Sequence, residues 1–404
     1  MDNGRIILHI DMNSYFASVE QQANPFLRGK PIGITGKNQE RSVVATASIE
    51  AKKLGVKTAM STWEAKKICP SIILWPGDPE KYADIMHRFN AIYRSFTEHV
   101  EEFSVDESFL DLTEEAQDYL GATCMAQAIR ERVSEACGPH ITASIGIAPN
   151  RLMAKLASES VKPNGLTVVR PHEVLNLLDQ SDLEDLCGIG HGIREHLSQL
   201  GIESFQQLRE FPLERLMEEF HGYGLWLHEA AWGREVVQEP SHTSEPAKSY
   251  GHSYTLPFNT NDPVVLKRYL LGLADKVAWR LRRDGVAARR ISAHVRFADF
   301  SGHGEQRTSI EPITDGLRLF KIAWQILAPF LQHAPVRLVG LTASLISSDP
   351  KRTSLFKKEQ HMQSVLSSLD LLQHRYGSGI WKRASTLPVE FKSRSSGFRF
   401  DHEL

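Results

Sequence analysis

The chain has 404 residues, 41% of them hydrophobic and 24% charged, which is ordinary for a globular protein with a sizeable core and predicts roughly two to four domains. Its net charge of −2 does not by itself indicate a nucleic-acid-binding protein. Four scattered cysteines lack zinc-ligand spacing, and there is no signal segment or apolar run of transmembrane length, so we expect a cytoplasmic protein with no structural zinc, disulfide framework or membrane partner.

Hydrophobic periodicity and turn residues predict an α/β region that one small unit interrupts. In chain order the predicted elements are a strand at 5–10, a helix at 14–23, helical stretches at 46–54 and 61–68, a helix at 79–97, a hairpin at 103–112, a helix at 123–137, a strand at 141–147 and a helix at 150–159. Residues 1–24 and 79–169 therefore form one predicted domain, and residues 25–78 form the interruption.

Two acidic fragments of this α/β domain stand at predicted strand ends. Asp11 follows the apolar run of residues 6–10, and Asp106 and Glu107 lie in the predicted hairpin. Strand alternation sends the side chains of Asp106 and Glu107 to opposite faces unless a turn or bulge re-aims one of them. Three carboxylates on neighbouring strand ends are what a two-metal phosphoryl-transfer site requires. For either fragment alone, a hairpin with solvent-exposed acids is the open alternative.

Residues 170–240 are predicted to be all-helical. The segment Cys187–Gly192 lies between helical patterns and resembles a helix-hairpin-helix, whose glycine turn points backbone N–H groups at a phosphate. A tight connection between helices is the alternative. A second glycine turn, Gly222–Gly224, lacks the pattern, and residues 241–247 are predicted to be a linker.

The next hundred residues, 248–347, have a clear β-α-β-β-α-β order, which predicts a four-stranded sheet backed by two helices. Its elements are strands at 249–256, 290–299, 305–312 and 336–346 and helices at 263–284 and 315–331. Basic residues are concentrated over 276–296, which is compatible with a phosphate-facing surface or with a solvated helix face. Residues 348–404 form a polar tail with a helical stretch at about 360–373.

Five fragments, taken together and in this order, resemble the Y-family translesion DNA polymerases of the bacterial polymerase IV and UmuC-like branch. They are His9–Glu20, Val43–Val56, Ser104–Ser108, Ser144–Ser158 and Val161–Gly165, and the resemblance extends from residue 5 to about residue 347. It implies an α/β multi-domain, right-hand polymerase. The implied domains are a palm (1–24 and 79–169), fingers (25–78), a helical thumb (170–240), a linker (241–247), a little finger (248–347) and a C-terminal tail (348–404).

The resemblance also implies a site that binds two Mg²⁺ ions. Asp11 and Asp106 would bridge both ions, Glu107 would serve mainly the ion on the primer side, and the Met12 carbonyl would be a further ligand. Asn13 stands where the family often has Asp, at a position that is not a direct ligand.

For the incoming nucleotide, Phe16 maps onto the steric gate that clashes with a 2′-hydroxyl, and Thr46, Lys52 and Lys162 are the implied triphosphate contacts. Ile49 and Lys52 depart from the usual Tyr and Arg, and Lys52 would act as a point charge because lysine cannot form a planar bidentate clamp. The alternatives are core packing for Phe16 and solvated surface for the lysines. Small finger residues predict a roomy, error-tolerant pocket; they are Ala45, Ala47, Ala59 and Ser61.

Contacts with macromolecules are implied elsewhere in the chain. Primer-template DNA would contact the thumb and the little finger at Gly188, Gly190, Arg289, Arg290 and Arg296. The tail partly resembles a sliding-clamp-binding peptide, in which Leu355 and Phe356 would bind the clamp, although Arg352 and Thr353 replace its usual Gln and Leu. A tail packed on its own protein is the alternative.

These features predict a monomeric, template-directed, low-fidelity DNA polymerase that uses deoxynucleoside triphosphates, bypasses lesions and lacks a recognisable proofreading domain. A catalytically silent DNA-binding scaffold is the main alternative, although a scaffold has no physical need for three clustered carboxylates. A cyclase with a similar palm is a third hypothesis, which the predicted duplex-binding elements disfavour because a cyclase does not have to hold DNA.

Overall fold

The computed structural model describes residues 4–36, 41–236, 247–331, 334–348, 357–377, 379–389 and 391. These residues divide into two compact units, one within residues 4–236 and the other within residues 247–391. Over the described ranges, no helix is both long enough and apolar enough to cross a membrane.

The first unit contains eight strands and eleven α-helices among its described residues, besides short 3₁₀ helices. Its strands are β1 (Ile7–Met12), β2 (Ile32–Thr35), β3 (Thr46–Ala47), β4 (Ile73–Pro76), β5 (Val100–Glu102), β6 (Glu107–Asp111), β7 (Ala143–Ala148) and β8 (Leu166–Val168). Its helices are α1 (Tyr15–Ala23), α2 (Ile49–Lys53), α3 (Thr62–Ile68), α4 (Pro79–Arg94), α5 (Tyr119–Cys137), α6 (Arg151–Ser160), α7 (Val174–Asp179), α8 (His191–Gln199), α9 (Phe205–Glu210), α10 (Leu213–Phe220) and α11 (Gly222–Ala231).

A five-stranded sheet with the order β5-β6-β1-β7-β8 forms the centre of this unit. Strand β1 is antiparallel to both of its neighbours and is buried along its whole length. Leu8 and Ile10 pack in one hydrophobic core with α4 and α5, whereas Ile7 packs in a second core with α6. Because side chains alternate along a strand, Asp11 lies on the same face as Ile7, which is the face that α6 covers.

Residues 25–78 fold around a small sheet of order β3-β2-β4. The predicted helical stretch at 46–54 is wrong at its start, because Thr46 and Ala47 form a strand against β2 and the helix begins at Ile49, after the Ser48 cap. Sequence periodicity also missed β2 and β4, whose four-residue runs pair in parallel and are too short to show a period.

The helical prediction for residues 170–240 is confirmed over its described part, up to residue 236. Five α-helices and two short 3₁₀ helices occupy it, with no strand among these residues. Gly222–Gly224 do not form a turn between helices, because they are the first residues of α11. The residue that separates α10 from α11 is His221, whose φ is 53°.

The second unit has the predicted β-α-β-β-α-β order. Its elements are β9 (Ser249–Thr260), α12 (Pro263–Arg283), β10 (Ala287–Phe297), β11 (Gly302–Ile313), α13 (Gly316–Leu327) and β12 (Val336–Ser347). The four strands form an antiparallel sheet of order β11-β10-β12-β9, and both helices pack on one face of it.

The tail adds a helix, α14 (Lys357–Tyr376), and a returning segment to the second unit. Arg282 on α12 makes a bidentate ion pair with Asp370 at 2.6 and 2.8 Å. The Nε of Arg383 donates to both carboxylate oxygens of Asp275. The ring of Phe391 lies against Tyr254 and Tyr269. Part of the basic run at 276–296 therefore binds the tail. The predicted clamp contacts Leu355 and Phe356, and the predicted linker over 241–246, lie outside the described residues.

Candidate active site

The pairing of β1 with β6 brings two of the predicted carboxylates together. Asp11 and Glu107 are directly opposite in the antiparallel register, so their side chains project from the same face of the sheet. The Met12 N–H donates to the Asp106 carbonyl oxygen at 2.9 Å, which continues the ladder past the start of β6. Met12 itself is buried at the end of β1, with its sulfur 3.4 Å from the Tyr93 hydroxyl oxygen.

A tight turn changes the direction of Asp106 relative to Glu107. The backbone N–H groups of Phe103 and Ser104 both donate to the Glu107 carbonyl oxygen, each at 3.1 Å, and β6 begins only at Glu107. Asp106 therefore lies in a bend before β6, so the alternation of side chains along a strand does not apply to it. Its carboxylate accepts a hydrogen bond from Ser104 Oγ at 2.8 Å.

Two lysines neutralise the paired carboxylates. Lys162 Nζ lies 2.7 Å from Asp11 Oδ2 and 2.6 Å from Glu159 Oε1, and Lys155 forms an ion pair with Glu107. One carboxylate oxygen from each of Asp11, Glu107 and Glu159 lies within 4.8 Å of the others. In the described part of the chain, Asp106 is not a member of this group, because its carboxylate is turned to Ser104.

The electrostatics of the site favour a cation. Burial raises the pKa of Asp11 to about 7, against the opposing effect of Lys162, and burial also raises the pKa of Asp106. Burial works against protonation of Lys162, but the Asp11 and Glu159 carboxylates outweigh it and raise the pKa of this lysine. Buried carboxylates of this kind are stabilised by positive charge.

The donor set fits a hard divalent cation. Carboxylate oxygens at strand ends, partly buried and close together, are the ligands that Mg²⁺ takes in sites that leave room for substrate phosphates. The lysine ammonium groups now beside Asp11 and Glu107 show that these oxygens attract positive charge. Asp11, Asp106 and Glu107 could hold metal if Asp106 released Ser104.

The predicted steric gate, Phe16, lies in the first turn of α1 and is 8% exposed. Its ring stacks on Tyr82 with centroids 4.4 Å apart and an interplanar angle of 15°. The Tyr82 hydroxyl in turn donates to Glu20 at 3.0 Å. The position of Phe16 is therefore fixed by an aromatic neighbour, and only a small fraction of the residue is exposed.

The predicted triphosphate contacts come from separate elements. Lys52 lies on α2, and its pKa is lowered by partial burial and by Lys162, with Asp11 and Asp106 acting in the opposite direction. Lys52 and Lys162 therefore lie within electrostatic range of the same carboxylates. Thr46 is half-buried on β3, opposite Ile34, and no contact joins it to this group among those described.

The small residues predicted to line a roomy pocket do not all face open space. Ala47 is fully buried in the core of residues 25–78, and the hydroxyl of Ser61 caps α3. Ala45 is half-buried and Ala59 is exposed. Residue size alone could not distinguish core positions from pocket positions.

Sequence reasoning missed Glu159 and the pairing of Lys155 with Glu107. Residues 155 and 159 are four apart on α6, so they lie on one helix face, and Lys162 follows three residues later. This spacing is visible in the sequence. Only the packing of α6 on β1 shows that the shared helix face meets the carboxylates of the site.

The glycine turn before α8 is held by α11. Gly188 has φ of 115°, and its carbonyl oxygen accepts a hydrogen bond from the Tyr223 hydroxyl at 2.7 Å. A Cβ atom at this position would lie 2.5 Å from the Trp226 ring. Gly190 is the N-cap of α8. The turn thus requires glycine for both its backbone conformation and its close packing.

Two of the predicted DNA-contacting arginines lie on the open face of the second sheet. Ile291, Ala293 and Val295 point into the core formed with α12 and α13, so Arg290 and Arg296 project from the opposite face. Arg289 lies at the register shift between Ala288 and Arg290, where its guanidinium donates to the Ser309 carbonyl oxygen at 3.3 Å.

Comparisons with known proteins give one consistent answer. A profile of the impB/mucB/samB family matches residues 10–159, and a profile of the C-terminal domain of that family matches residues 247–355. DNA polymerase IV of Bacteroides fragilis is 35% identical over 346 residues, which cover 85% of this chain and 93% of that protein. DNA polymerase IV of Moorella thermoacetica is 34% identical over 388 residues, covering 94% and 96%. A solved Y-family DNA polymerase chimera of Dbh and Dpo4 superposes with a TM-score of 0.75 at 28% identity, covering 85% and 100%.

Proposed function

Since this chain belongs to the impB/mucB/samB family, and so to the Y-family DNA polymerases, we propose that Asp11, Asp106 and Glu107 are the catalytic carboxylates of its DNA synthesis. The chain is a DNA-directed DNA polymerase that performs translesion synthesis. The observation that carries the assignment of residues is the β1–β6 pairing, which sets Asp11 opposite Glu107 and places Asp106 in the adjoining bend.

Y-family polymerases are metal-dependent, and we propose that the metal here is a pair of Mg²⁺ ions. When bound, such a pair lowers the pKa of the primer 3′-hydroxyl and stabilises the leaving pyrophosphate. Asp11, Asp106 and Glu107 would hold the ions, with the Met12 carbonyl as a further ligand. For Asp106 this requires a side-chain rotation away from Ser104 Oγ, so that metal ligation would replace the hydrogen bond that is lost.

The residues around the carboxylates would orient the nucleotide. Lys162 can exchange Asp11 for a triphosphate oxygen, and Lys52 adds a second positive charge from α2. Thr46 would contact the triphosphate from β3. Phe16, held by Tyr82, would lie under the sugar and exclude a 2′-hydroxyl. Low fidelity is proposed as a consequence of small residues beside the nascent base pair, of which Ala45 and Ala59 lie outside the core of residues 25–78.

The two other hypotheses are less favoured. A silent scaffold has no need for a buried acidic group whose pKa values are raised by burial, because such a group destabilises the metal-free fold. A cyclase has no need for arginines on an open sheet face or for a helix-hairpin-helix turn. Gly188, Gly190, Arg289, Arg290 and Arg296 are proposed to contact primer-template DNA instead.

Further partners are proposed from the sequence. Leu355 and Phe356 would bind a sliding clamp. The enzyme is also proposed to act as a monomer. Its proposed location is the cytoplasm, at the nucleoid. Support for the clamp contact is the resemblance of the tail segment to a clamp-binding peptide.

Primer extension tests the proposal. Wild type and Asp106→Ala are incubated with Mg²⁺, four deoxynucleotides and primers annealed to an undamaged or an abasic template. We expect wild type to extend both primers and Asp106→Ala to extend neither, with DNA binding retained in the variant. Extension by Asp106→Ala at the wild-type rate would refute the assignment of Asp106, and absence of extension by wild type despite DNA binding would favour the scaffold.

A further inference from the structure

Asn13 lies directly after β1 and is 5% exposed. Its backbone N–H donates to the Thr142 carbonyl oxygen at 2.7 Å, and its carbonyl oxygen accepts from Ser18 Oγ at 2.6 Å. The backbone of Asn13 is thus fixed on one side by the residue that precedes β7 and on the other by α1. Neither contact involves its amide side chain, which is left for another purpose.

The amide of Asn13 joins β1 to two other segments. Its Nδ2 donates to Ser144 Oγ at 3.0 Å, and its Oδ1 accepts from Thr142 Oγ1 at 3.1 Å. Oδ1 also accepts from the backbone N–H of Asn164 at 2.7 Å. Because a backbone N–H can only donate, this last contact fixes which end of the amide faces residue 164.

Asn164 belongs to the loop that carries Lys162. Residues 161–164 are all exposed, so burial does little to fix their position. Hydrogen bonds do so instead. Besides the contact with Asn13, the Gly165 N–H donates to the same Ser144 Oγ at 3.3 Å. Asn13 itself is buried even though the loop is not, and its hydrogen bond to the Asn164 N–H is partly buried. Such a bond is costly to break when one partner is left unsatisfied.

We propose that Asn13 is a positioning residue that holds the Lys162 ammonium in register with Asp11 and the incoming triphosphate. The inference rests on the proposed role of Lys162 as a triphosphate contact. In this proposal Asn13 is not itself a ligand of the metal or the nucleotide. It acts through the 164 N–H, two residues beyond the lysine whose Nζ lies 2.7 Å from Asp11 Oδ2.

The hydrogen-bond pattern also says which substitution is conservative. Aspartate at position 13 keeps an acceptor for the Asn164 N–H and for the Thr142 hydroxyl, and the Ser144 hydroxyl can rotate to donate to its second oxygen. Alanine removes all three contacts. Asp should therefore rescue what Ala loses.

The test is a double-mutant cycle in steady-state single-nucleotide incorporation on primer-template DNA. Its members are wild type, Asn13→Ala, Lys162→Ala and the double variant, with Asn13→Asp as the rescue. We expect Asn13→Ala and Lys162→Ala each to raise the KM for the deoxynucleotide about tenfold, with kcat changed less than about threefold. In the Lys162→Ala background, Asn13→Ala should change KM less than about twofold, because the side chain it positions is gone. Asn13→Asp should stay within about threefold of wild type.

Two results would overturn the inference while leaving the proposed function intact. One is an Asn13→Ala enzyme with wild-type KM beside a Lys162→Ala enzyme with raised KM, and the other is the same fold-change for Asn13→Ala in both backgrounds. A wild-type KM in Lys162→Ala would instead refute the proposed role of Lys162, and the inference with it. Thermal melting checks the fold of each variant. If Asn13→Ala does not fold, Asn13→Ser replaces it, since serine stays polar but is too short to reach the 164 N–H.

Discussion

Each carboxylate of the candidate site is paired with a cation or hydroxyl from its own chain. Lys162 neutralises Asp11, Lys155 neutralises Glu107, and Ser104 binds Asp106. Such internal partners lower the cost of burying acids before metal arrives, and they must be released when metal and nucleotide bind. Of these pairings, the sequence indicated the acids and Lys162. The partners Lys155 and Ser104 depend on the packing of α6 and on the bend at 103–106, which no local pattern specifies.

The proposed role of Phe16 as the steric gate predicts that this residue determines sugar selectivity. Replacing Phe16 with Ala should raise the ratio of ribonucleotide to deoxyribonucleotide incorporation by about tenfold or more, because the ring stacked on Tyr82 would no longer clash with a 2′-hydroxyl. Single-nucleotide kinetics with ATP and dATP measure the ratio. Phe26→Ala, at an 81% exposed ring, is the matched control and should leave selectivity unchanged. Equal ratios in Phe16→Ala and wild type would refute the assignment.

Burial of Asp11 predicts a pH-dependent stability in the metal-free protein. Its pKa rises from 3.8 to about 7 on folding, so the folded state binds more protons between these values. The contribution of this group to stability is therefore fully present below about pH 4 and is lost as pH rises through about 7. In EDTA, Asp11→Asn should raise the melting temperature at pH 8 and have little effect at about pH 4. A variant that melts below wild type at pH 8 would show that ionised Asp11 stabilises the fold.

Among the elements, those with many residues and a clear period were predictable and the short ones were not. Helices α12 and α4 and the β-α-β-β-α-β order follow from apolar stripes and caps that the sequence displays directly. Strands β2, β3 and β4 have two to four residues each and exist because they pair with one another. Tertiary pairing overrides local propensity in such short segments, which is why Thr46 forms a strand although the local sequence predicts a helix.

The glycine turn before α8 gives a prediction at the scale of an element. Gly188→Ala should destabilise the protein by about 1–3 kcal/mol, since residue 188 has φ of 115° and a Cβ would meet the Trp226 ring. It should also weaken primer-template binding in fluorescence anisotropy. The control is Gly192→Ala, which adds a methyl group in open space within the first turn of α8 and should leave both quantities nearly unchanged. Equal behaviour of the two variants would contradict a strained, ligand-facing turn.

The net charge of the whole molecule, −2, does not indicate DNA binding, because the positive charges proposed to contact DNA are concentrated in one short stretch of the chain. The basic run at 276–296 separates into two groups in the structure. Arg282 on α12 binds the tail through Asp370, whereas Arg290 and Arg296 lie on the open face of the sheet. The sequence could not separate the two groups, because the residues that cover α12 lie about 90 positions later in the chain.

This separation predicts different salt dependences. Removing both Arg290 and Arg296 should reduce the slope of log affinity against log salt by about two units, because each phosphate contact contributes about 0.9. Arg282→Ala is the matched control: it should lower the melting temperature by releasing the tail but leave the salt slope unchanged. Anisotropy titrations with primer-template DNA at several salt concentrations measure the slopes. If the slope fell for Arg282→Ala and not for the double variant, the phosphate contacts would lie at Arg282 and not on the open face of the sheet, which would contradict this prediction.

The central claim is that Asp106, although it faces Ser104 in this structure, binds the catalytic metals with Asp11 and Glu107. Glu159 lies nearer to those two carboxylates and is the rival ligand. The measurement that distinguishes Asp106 from Glu159 as the ligand is Mn²⁺ binding followed by electron paramagnetic resonance. The sample contains a dideoxy-terminated primer-template and the correct deoxynucleotide. We predict about two tightly bound ions for wild type and for Glu159→Gln, and the loss of at least about one ion for Asp106→Asn. Wild-type Mn²⁺ binding by Asp106→Asn, with loss of an ion in Glu159→Gln, would contradict the claim and make Glu159 the ligand.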